Sequence, residues 1–367
     1  MSNSSMYFSE EIASFSNTPE FQSESWLAAQ KNYMSVSTNP NNIEAFHRTY
    51  SNRMLKIVGD FQLYHSIGQG NFSCVKYGIH TKTHCPVAVK TLRKNQVKDL
   101  SVITREIEAM RSLDHPNIVK LYDALETHNN FYLVMELCNG GELFHRIRRY
   151  GPLSELSALS VFYQLCSAVK HAHDHGWIHR DLKCENVMFD SKGRLKIVDW
   201  GLSCRYDINK RMKTHCGSVQ YAAPELHLGK SYIGPELDVW SLGIIMFVMV
   251  NGTLPYGTND SSADVKHAIF NQPLRFVKPV SNGIERFIRS ILQIDVKNRP
   301  SIDMILSDPI FNARNSKELI SIYDTIRTAN QHNRNSFSAP PLGNFSITLP
   351  PNSYTPKNVQ TYRYSNK

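Results

Sequence analysis

From residue 60 to about 136, apolar and polar residues alternate in short runs: DFQLYHSI (60–67), SCVKYGIH (73–80), PVAVKTL (86–92), IVKLYDAL (118–125) and FYLVMEL (131–137). A period of two, rich in β-branched and aromatic residues, predicts strands with one face toward a core. LSVITREIEAMRSL (100–113) breaks the series, because its apolar residues recur at helical spacing and its other face is charged; it predicts one amphipathic helix ahead of the fourth strand. Beyond LCNGG at 137–141 the helical period takes over, in GELFHRIRRY (141–150), SELSALSVFYQLCSAVKHAHDH (154–175), ELDVWSLGIIMFVMVN (236–251), SADVKHAIFN (262–271) and GIERFIRSILQI (283–294). The pattern predicts an α+β chain: a small antiparallel β lobe with one helix over 59–137, a hinge, and a larger helical lobe over 138–312.

The two ends carry neither period. Residues 1–58 are rich in Ser and Asn, and 313–367 end in a Ser/Asn/Pro/Tyr-rich run, compositions that predict mostly disordered tails. A short helical spacing at 316–330 (Leu319, Ile320, Ile322, Tyr323, Ile326) is the exception. VWSLGIIMFVMV (239–250) is apolar on every face but falls short of the roughly 20 residues that span a bilayer, so it predicts a buried core helix. The first residues, MSNSSMYFSEEIASF, have no basic start and no apolar core of a secretory signal, so a cytosolic or nuclear location is expected.

Composition changes this picture little. The chain has 367 residues, 41% of them hydrophobic, enough for one large two-lobed core. Seven scattered cysteines without a C-x-x-C pair argue for reduced thiols, against a disulfide framework or a zinc module. A net charge of +9 could favour anionic partners, but no dense Lys/Arg run marks a nucleic-acid patch, and a general solubilising charge accounts for it. His171, His173 and His175 in HAHDHG invite a metal reading; a spacing of two on a helix points side chains apart, so the cluster reads as a solvated helix end.

Candidate chemistry gathers elsewhere. GQGNFSCV (68–75) holds Gly68 and Gly70, which let a backbone lie close over phosphates, although a glycine pair between two strands is by itself only a hairpin signal. Lys90 closes the apolar strand VAVK, and an inward lysine there needs a negative partner, for which Glu106 on the following helix is placed. HRDLKCEN (179–186) then offers Asp181 to accept a proton, Lys183 to neutralise transferred charge and Asn186 to hold a metal. Asp199 follows the apolar LKIV; with Asn186 it makes a hard oxygen site of the kind magnesium prefers beside phosphate. Each residue alone could be a turn or cap residue, but the ordered set is not explained that way.

In this order, the Gly-x-Gly loop, VAVK, a helix Glu, HRDLKxEN, Asp-x-Gly, APE (223–225), DVWSLG (238–243) and Arg299 resemble the eukaryotic protein kinases, over roughly residues 61–311. The resemblance implies a bilobal protein kinase fold, with ATP and Mg2+ as cofactors. It implies that Ile67, Gly68, Gly70 and Ser73 cover the nucleotide, that Val75, Ala88 and Met188 enclose adenine, and that Glu136 and Cys138 offer hinge backbone groups, with Met135 as gatekeeper and Glu142 at the cleft mouth. It further implies Lys90 and Glu106 as the phosphate-gripping pair, Asn186 and Asp199 as magnesium ligands, Asp181 and Lys183 as catalytic residues, and a deep Glu225–Arg299 pair.

Lys183 and Ser218 are similar to the Ser/Thr-specific branch, so the implied targets are Ser or Thr hydroxyls of protein substrates. Glu142 and Glu185 lie where related kinases hold upstream arginines, which implies a basic substrate motif, although acids at a cleft rim can also be merely solvated. MKTHCGSVQYAAPE resembles the calcium/calmodulin-dependent-kinase-like group, nearest its AMP-activated and sucrose-nonfermenting-related subfamily. By that match Thr214 is a regulatory phosphosite facing Arg180, served by an upstream activating kinase. Two departures stand out: Trp200 replaces the usual Phe, and Ser73 the third loop glycine. Trp200 is expected to fill the apolar slot beside Met110, Leu121 and His179. The expected protein is a monomeric kinase without nucleic-acid partners or a membrane span; the alternative is a catalytically silent kinase fold used as a scaffold.

Overall fold

A computed structural model describes residues 55–312 apart from 71–72, 98 and 258–260, with the backbone alone of 13–14 and 313–315. Among them, β1 (Lys56–Val58), β2 (Phe61–Gln69), β3 (Ser73–His80), β4 (Pro86–Arg93), β5 (Leu121–Glu126) and β6 (Asn130–Glu136) form one antiparallel sheet in the order β5, β6, β4, β3, β2, β1, and Ala13–Ser14 pairs along the outer edge of β5. Register assigns the faces. Ala88 lies opposite Tyr77 and Met135, and Lys90 opposite Val75 and Leu133. Because side chains alternate along a strand, Ala88 and Lys90 share one face, while Val87 and Val89 turn to the other and pack with Phe61, Leu63 and Val134. The helix α1 (Ser101–Ser112) buries Ile103, Glu106, Ile107 and Met110, positions that recur every three to four residues.

The second lobe is helical: α2 (Leu143–Tyr150), α3 (Glu155–Asp174), α4 (Pro224–His227), α5 (Pro235–Asn251), α6 (Ser262–Asn271), α7 (Asn282–Ile291) and α8 (Ile302–Leu306). Ser154 caps α3 by accepting from Ser157 N, and Ser281 caps α7 by accepting from Ile284 N. The apolar run of α5 is buried from Leu237 through Asn251, as a helix apolar on all faces must be. Four short strands, β7 (Trp177–Ile178), β8 (Val187–Phe189), β9 (Leu195–Ile197) and β10 (Cys204–Arg205), pair as β8 with β9 and β7 with β10, on the side of this lobe that faces the sheet. Among the described residues no helix is long and apolar enough to cross a membrane, and all seven cysteines are free thiols.

The structure departs from the sequence reading at two joints. Lys56–Val58, counted with the N-terminal tail, forms the edge strand β1. Gly59, at φ +54°, turns the chain back so that Val58 meets Phe61 in the core, 2% exposed. The segment 118–119, read as the start of a strand, leaves the sheet: Ile118 bridges Ile197 of β9, and Val119 N donates to Ile197 O at 3.0 Å, while Lys120 O still accepts from Glu136 N of β6 at 2.9 Å. The run there serves two partners, the sheet from Lys120 onward and the second lobe before it. The other residues of 1–54, and the helical spacing at 316–330, lie outside the described residues.

Candidate active site

Between the lobes lies a cavity of about 260 Å³. Its roof comes from β2 and β3 with Ile67, Gly68, Gly70, Ser73 and Val75, its back from Ala88, Lys90 and Met135, its hinge wall from Glu136 and Cys138, and its floor from Met188. Glu106, Glu142, Glu185, Asn186 and Asp199 also line it. Gln69, Val119, Leu137 and Val198 line it as well and escaped the sequence reading. Leu137 sits between the two hinge residues that reading named, and Val198 just before Asp199, so adjacency was an available signal.

The back of the cavity is an ion cluster. Lys90 Nζ donates to Glu106 Oε1 at 2.6 Å and to Asp199 Oδ1 at 2.8 Å, joining β4, α1 and the segment after β9. Burial works against the Lys90 ammonium, but the Glu106 and Asp199 carboxylates outweigh it and hold its pKa above the ordinary lysine value. The Lys90 charge in turn holds the Asp199 carboxyl below the usual range against the opposing effect of burial, so both remain charged at neutral pH. Asp199 adopts φ +62°, a left-handed conformation uncommon outside glycine that aims its carboxylate into the cavity rather than along the strand.

The loop between β7 and β8 carries the remaining polar residues. Asp181 Oδ1 accepts from Ser218 N at 2.9 Å and Ser218 Oγ at 2.8 Å; its Oδ2 accepts from Lys183 Nζ at 2.8 Å. Lys183 also donates to Ser218 Oγ at 2.9 Å. Asn186 Nδ2 donates to the Asp181 carbonyl at 2.9 Å, which leaves the Asn186 amide oxygen for another partner. The sequence set Ser218 among substrate-site residues; in the fold it bonds the Asp181 carboxylate directly. Gly217 makes this possible. At φ +97°, with Arg180 O only 2.5 Å from where a Cβ would sit, it lets the two loops touch.

What holds the loop lies beneath it. The Asp238 carboxylate, buried in α5, accepts from His179 N and Arg180 N, each at 2.9 Å, and pairs with His173 Nε2 at 2.9 Å. Burial alone would raise the Asp238 carboxyl, but the bond and charge of His173 bring it below the usual range. The solvated reading of HAHDHG therefore fails at its centre. His173 is 5% exposed, because α3 turns this residue inward toward α5. His171 and His175, four apart, lie with ring centroids 4.2 Å apart, so helical periodicity brings together a pair that the spacing of two had separated. Among the described residues no group of three or more His, Cys, Asp or Glu could hold a metal.

Arg180, at φ +65°, donates through Nε to Leu202 O at 2.8 Å, beside the segment that carries Thr214. Thr214 itself is exposed, and its carbonyl accepts from Tyr232 Oη at 2.6 Å. Farther down, Arg299 grips Glu225 through two bonds, 2.8 and 2.9 Å long, and ties the end of this segment to the helical lobe. Trp200 is 1% exposed and meets His179 edge-on at 4.7 Å, within the same core cluster as Met110 and Leu121. Its indole N–H has no acceptor among the described residues, so shape rather than hydrogen bonding holds the larger ring.

Comparison with known proteins follows the same outline. Residues 61–311 match the protein kinase domain family. The chain is similar to the serine/threonine-protein kinase SIK1 of Mus musculus, at 38% identity over 250 residues that cover 68% of this chain and 32% of the relative. It is also similar to the serine/threonine-protein kinase SIK2 of Gallus gallus, at 37% identity over 250 residues that cover 68% of this chain and 31% of that relative. The chain thus spans about a third of the length of these curated relatives. With a matched domain over most of its length, a two-lobed fold and an ion cluster in the intervening cleft, the chain belongs to the protein kinase family.

Proposed function

We propose that the chain is a Ser/Thr protein kinase that transfers the γ-phosphate of ATP to a protein hydroxyl. The carrying observation is the convergence on one cleft of Lys90, Asn186 and Asp199, with Asp181 bonded to Asn186 at its edge. Adenine would enter between Ala88 and Met188, against the backbone of Glu136 and Cys138. Lys90, kept charged by Glu106, would grip the α- and β-phosphates. The donor set suits magnesium: a carboxylate at Asp199 and a free amide oxygen at Asn186 are hard oxygen ligands. Held by Asp199 and Asn186, the cation would supply positive charge to offset what develops on the phosphates during transfer. Asp181 orients the acceptor hydroxyl and takes its proton as the new P–O bond forms and ADP departs, while Lys183 offsets charge on the transferred group.

Ser218 bonded to Asp181 and Lys183 supports a Ser/Thr preference, since it borders the space an acceptor side chain must enter. Glu142 and Glu185 at the cleft mouth favour basic residues upstream of the target. A phosphate on the exposed Thr214 would draw charge-assisted bonds from Arg180, which itself continues into Asp181. One experiment tests the reading. The full chain is incubated with labelled ATP, magnesium and an arginine-containing peptide library, beside Asp181→Asn and Thr214→Ala variants. Incorporation should be lost in the first and lowered in the second; equal label in wild type and Asp181→Asn would leave the silent-scaffold reading in its place.

A further inference from the structure

Behind the hinge, on the side away from the cavity, lies a second buried ion pair that the proposed chemistry does not use. Lys196, in the middle of β9, directs Nζ to Glu136 Oε2 at 2.8 Å, with the two side chains only 7% and 14% exposed. The same carboxylate oxygen faces Lys120 N at 3.4 Å, and Glu136 N donates to Lys120 O at 2.9 Å. Lys196 thus comes from the helical lobe and Glu136 from the hinge end of the sheet.

The strand that carries Lys196 is held on its other contacts by the segment after α1. Asn117 Nδ2 donates to Leu195 O at 2.9 Å, Ile197 N to Asn117 O at 2.8 Å, and Val119 N to Ile197 O at 3.0 Å. Two residues beyond Ile197 stands Asp199, the carboxylate bonded to Lys90. A short, stiff path therefore runs from the hinge backbone through Glu136, Lys196 and β9 to Asp199. Buried charges bind each other tightly only at good geometry, and removing one partner leaves the other uncompensated, so this pair resists changes in its own length.

We propose that Lys196 is a positioning residue for the nucleotide: by bonding Glu136 it fixes the hinge, where the base docks, in register with Asp199, where the phosphates and their cation dock. This rests on the reading of the cleft as an ATP site. The paired side chains bond each other rather than the nucleotide, and Glu136 would meet the base only through its backbone. The pair's effect is confined to ligands that engage both ends at once, because a ligand held at one end is indifferent to the distance between them.

The test measures binding as well as turnover, on the full chain. Dissociation constants for Mg-ADP and for adenosine are determined by calorimetry for wild type, Lys196→Met, Lys196→Arg and the double variant Lys196→Met/Glu136→Gln, with unfolding midpoints recorded for each. Lys196→Met alone should lower the midpoint, because it strands a buried carboxylate, and the double variant should regain it. Mg-ADP should bind about tenfold more weakly in the double variant, whereas adenosine should change by less than about twofold, as expected when only relative placement is lost. The KM for ATP should rise in parallel, with the KM for peptide unmoved. Wild-type Mg-ADP affinity in the double variant, or an equal loss for adenosine, would overturn the proposal; should the double variant not fold, Lys196→Met is judged by the same criterion. Wild-type chain that binds no Mg-ADP would instead sink the kinase reading itself.

Discussion

At the scale of single residues, the site depends on a few positions whose backbone is forced. Asp199 and Arg180 both hold left-handed conformations, each stabilised by neighbours: Lys90 on one, and Asp238 through the Arg180 amide on the other. Gly217 is the counterpart that only glycine fits. Replacing it with Ala places a Cβ 2.5 Å from Arg180 O in a strained φ, and the loop that presents Ser218 to Asp181 must move away. Turnover of Gly217→Ala is expected to fall by about 100-fold, the effect of a displacement on the order of 1 Å at a reacting centre. The unfolding midpoint should change little, since the loop lies at the surface; steady-state kinetics beside a thermal melt check both. Most residues named from the motifs line one cavity or bond its lining, because charged and glycine positions in fixed order are visible in one dimension. Ser218's bond to the Asp181 carboxylate was not visible, since the two stand 37 residues apart and meet only through Gly217.

At the scale of elements, the segment from His115 to Lys120 is the joint between lobes. His115 Nδ1 accepts from Asn117 N at 3.1 Å, and its Nε2 faces Ser167 Oγ of α3 at 3.1 Å, an arrangement that requires the neutral ring. Burial, then the nearby His171 and Lys196, push its pKa down to about 4 from 6.5. Between those values the unfolded chain carries a proton that the folded chain refuses. The stability this residue contributes is therefore full above pH 6.5 and is lost as pH falls toward 4. His171, His80 and His227, lowered chiefly by burial, act in the same direction. The unfolding midpoint should drop as pH falls from neutrality, with a shallower slope in His115→Asn than in wild type; identical slopes would show that His115 is not among the groups responsible. Strand and helix periods placed the long elements to within a few residues, whereas β7, β8 and β10, each two or three residues long, are too short for a period to register.

At the scale of the whole molecule, buried ion pairs join distant parts of the chain. Lys196–Glu136 links the lobes, and Arg299–Glu225 links the end of the segment that carries Thr214 to the helical core, 74 residues away in sequence. Arg299 is nearly buried, and it lies over the Trp240 ring at 5.2 Å while donating a further bond to Glu236 O at 2.7 Å. Arg299→Ala strands the Glu225 carboxylate and should cost about 3–5 kcal/mol in denaturant unfolding; a loss below about 1 kcal/mol, the value of an exposed pair, would contradict the burial argument. What the chain's order of residues determined by itself was the class of fold, the span of its long elements and the kinds of side chain available for phosphate and metal, because periodicity and motif spacing are properties of one dimension. The tertiary structure alone decided that His173 turns inward, that residues 118–119 leave the sheet for β9, and that Lys196 reaches the hinge. Each is a contact between residues far apart along the chain, and its energy comes from desolvation and geometry that exist only after the lobes have packed.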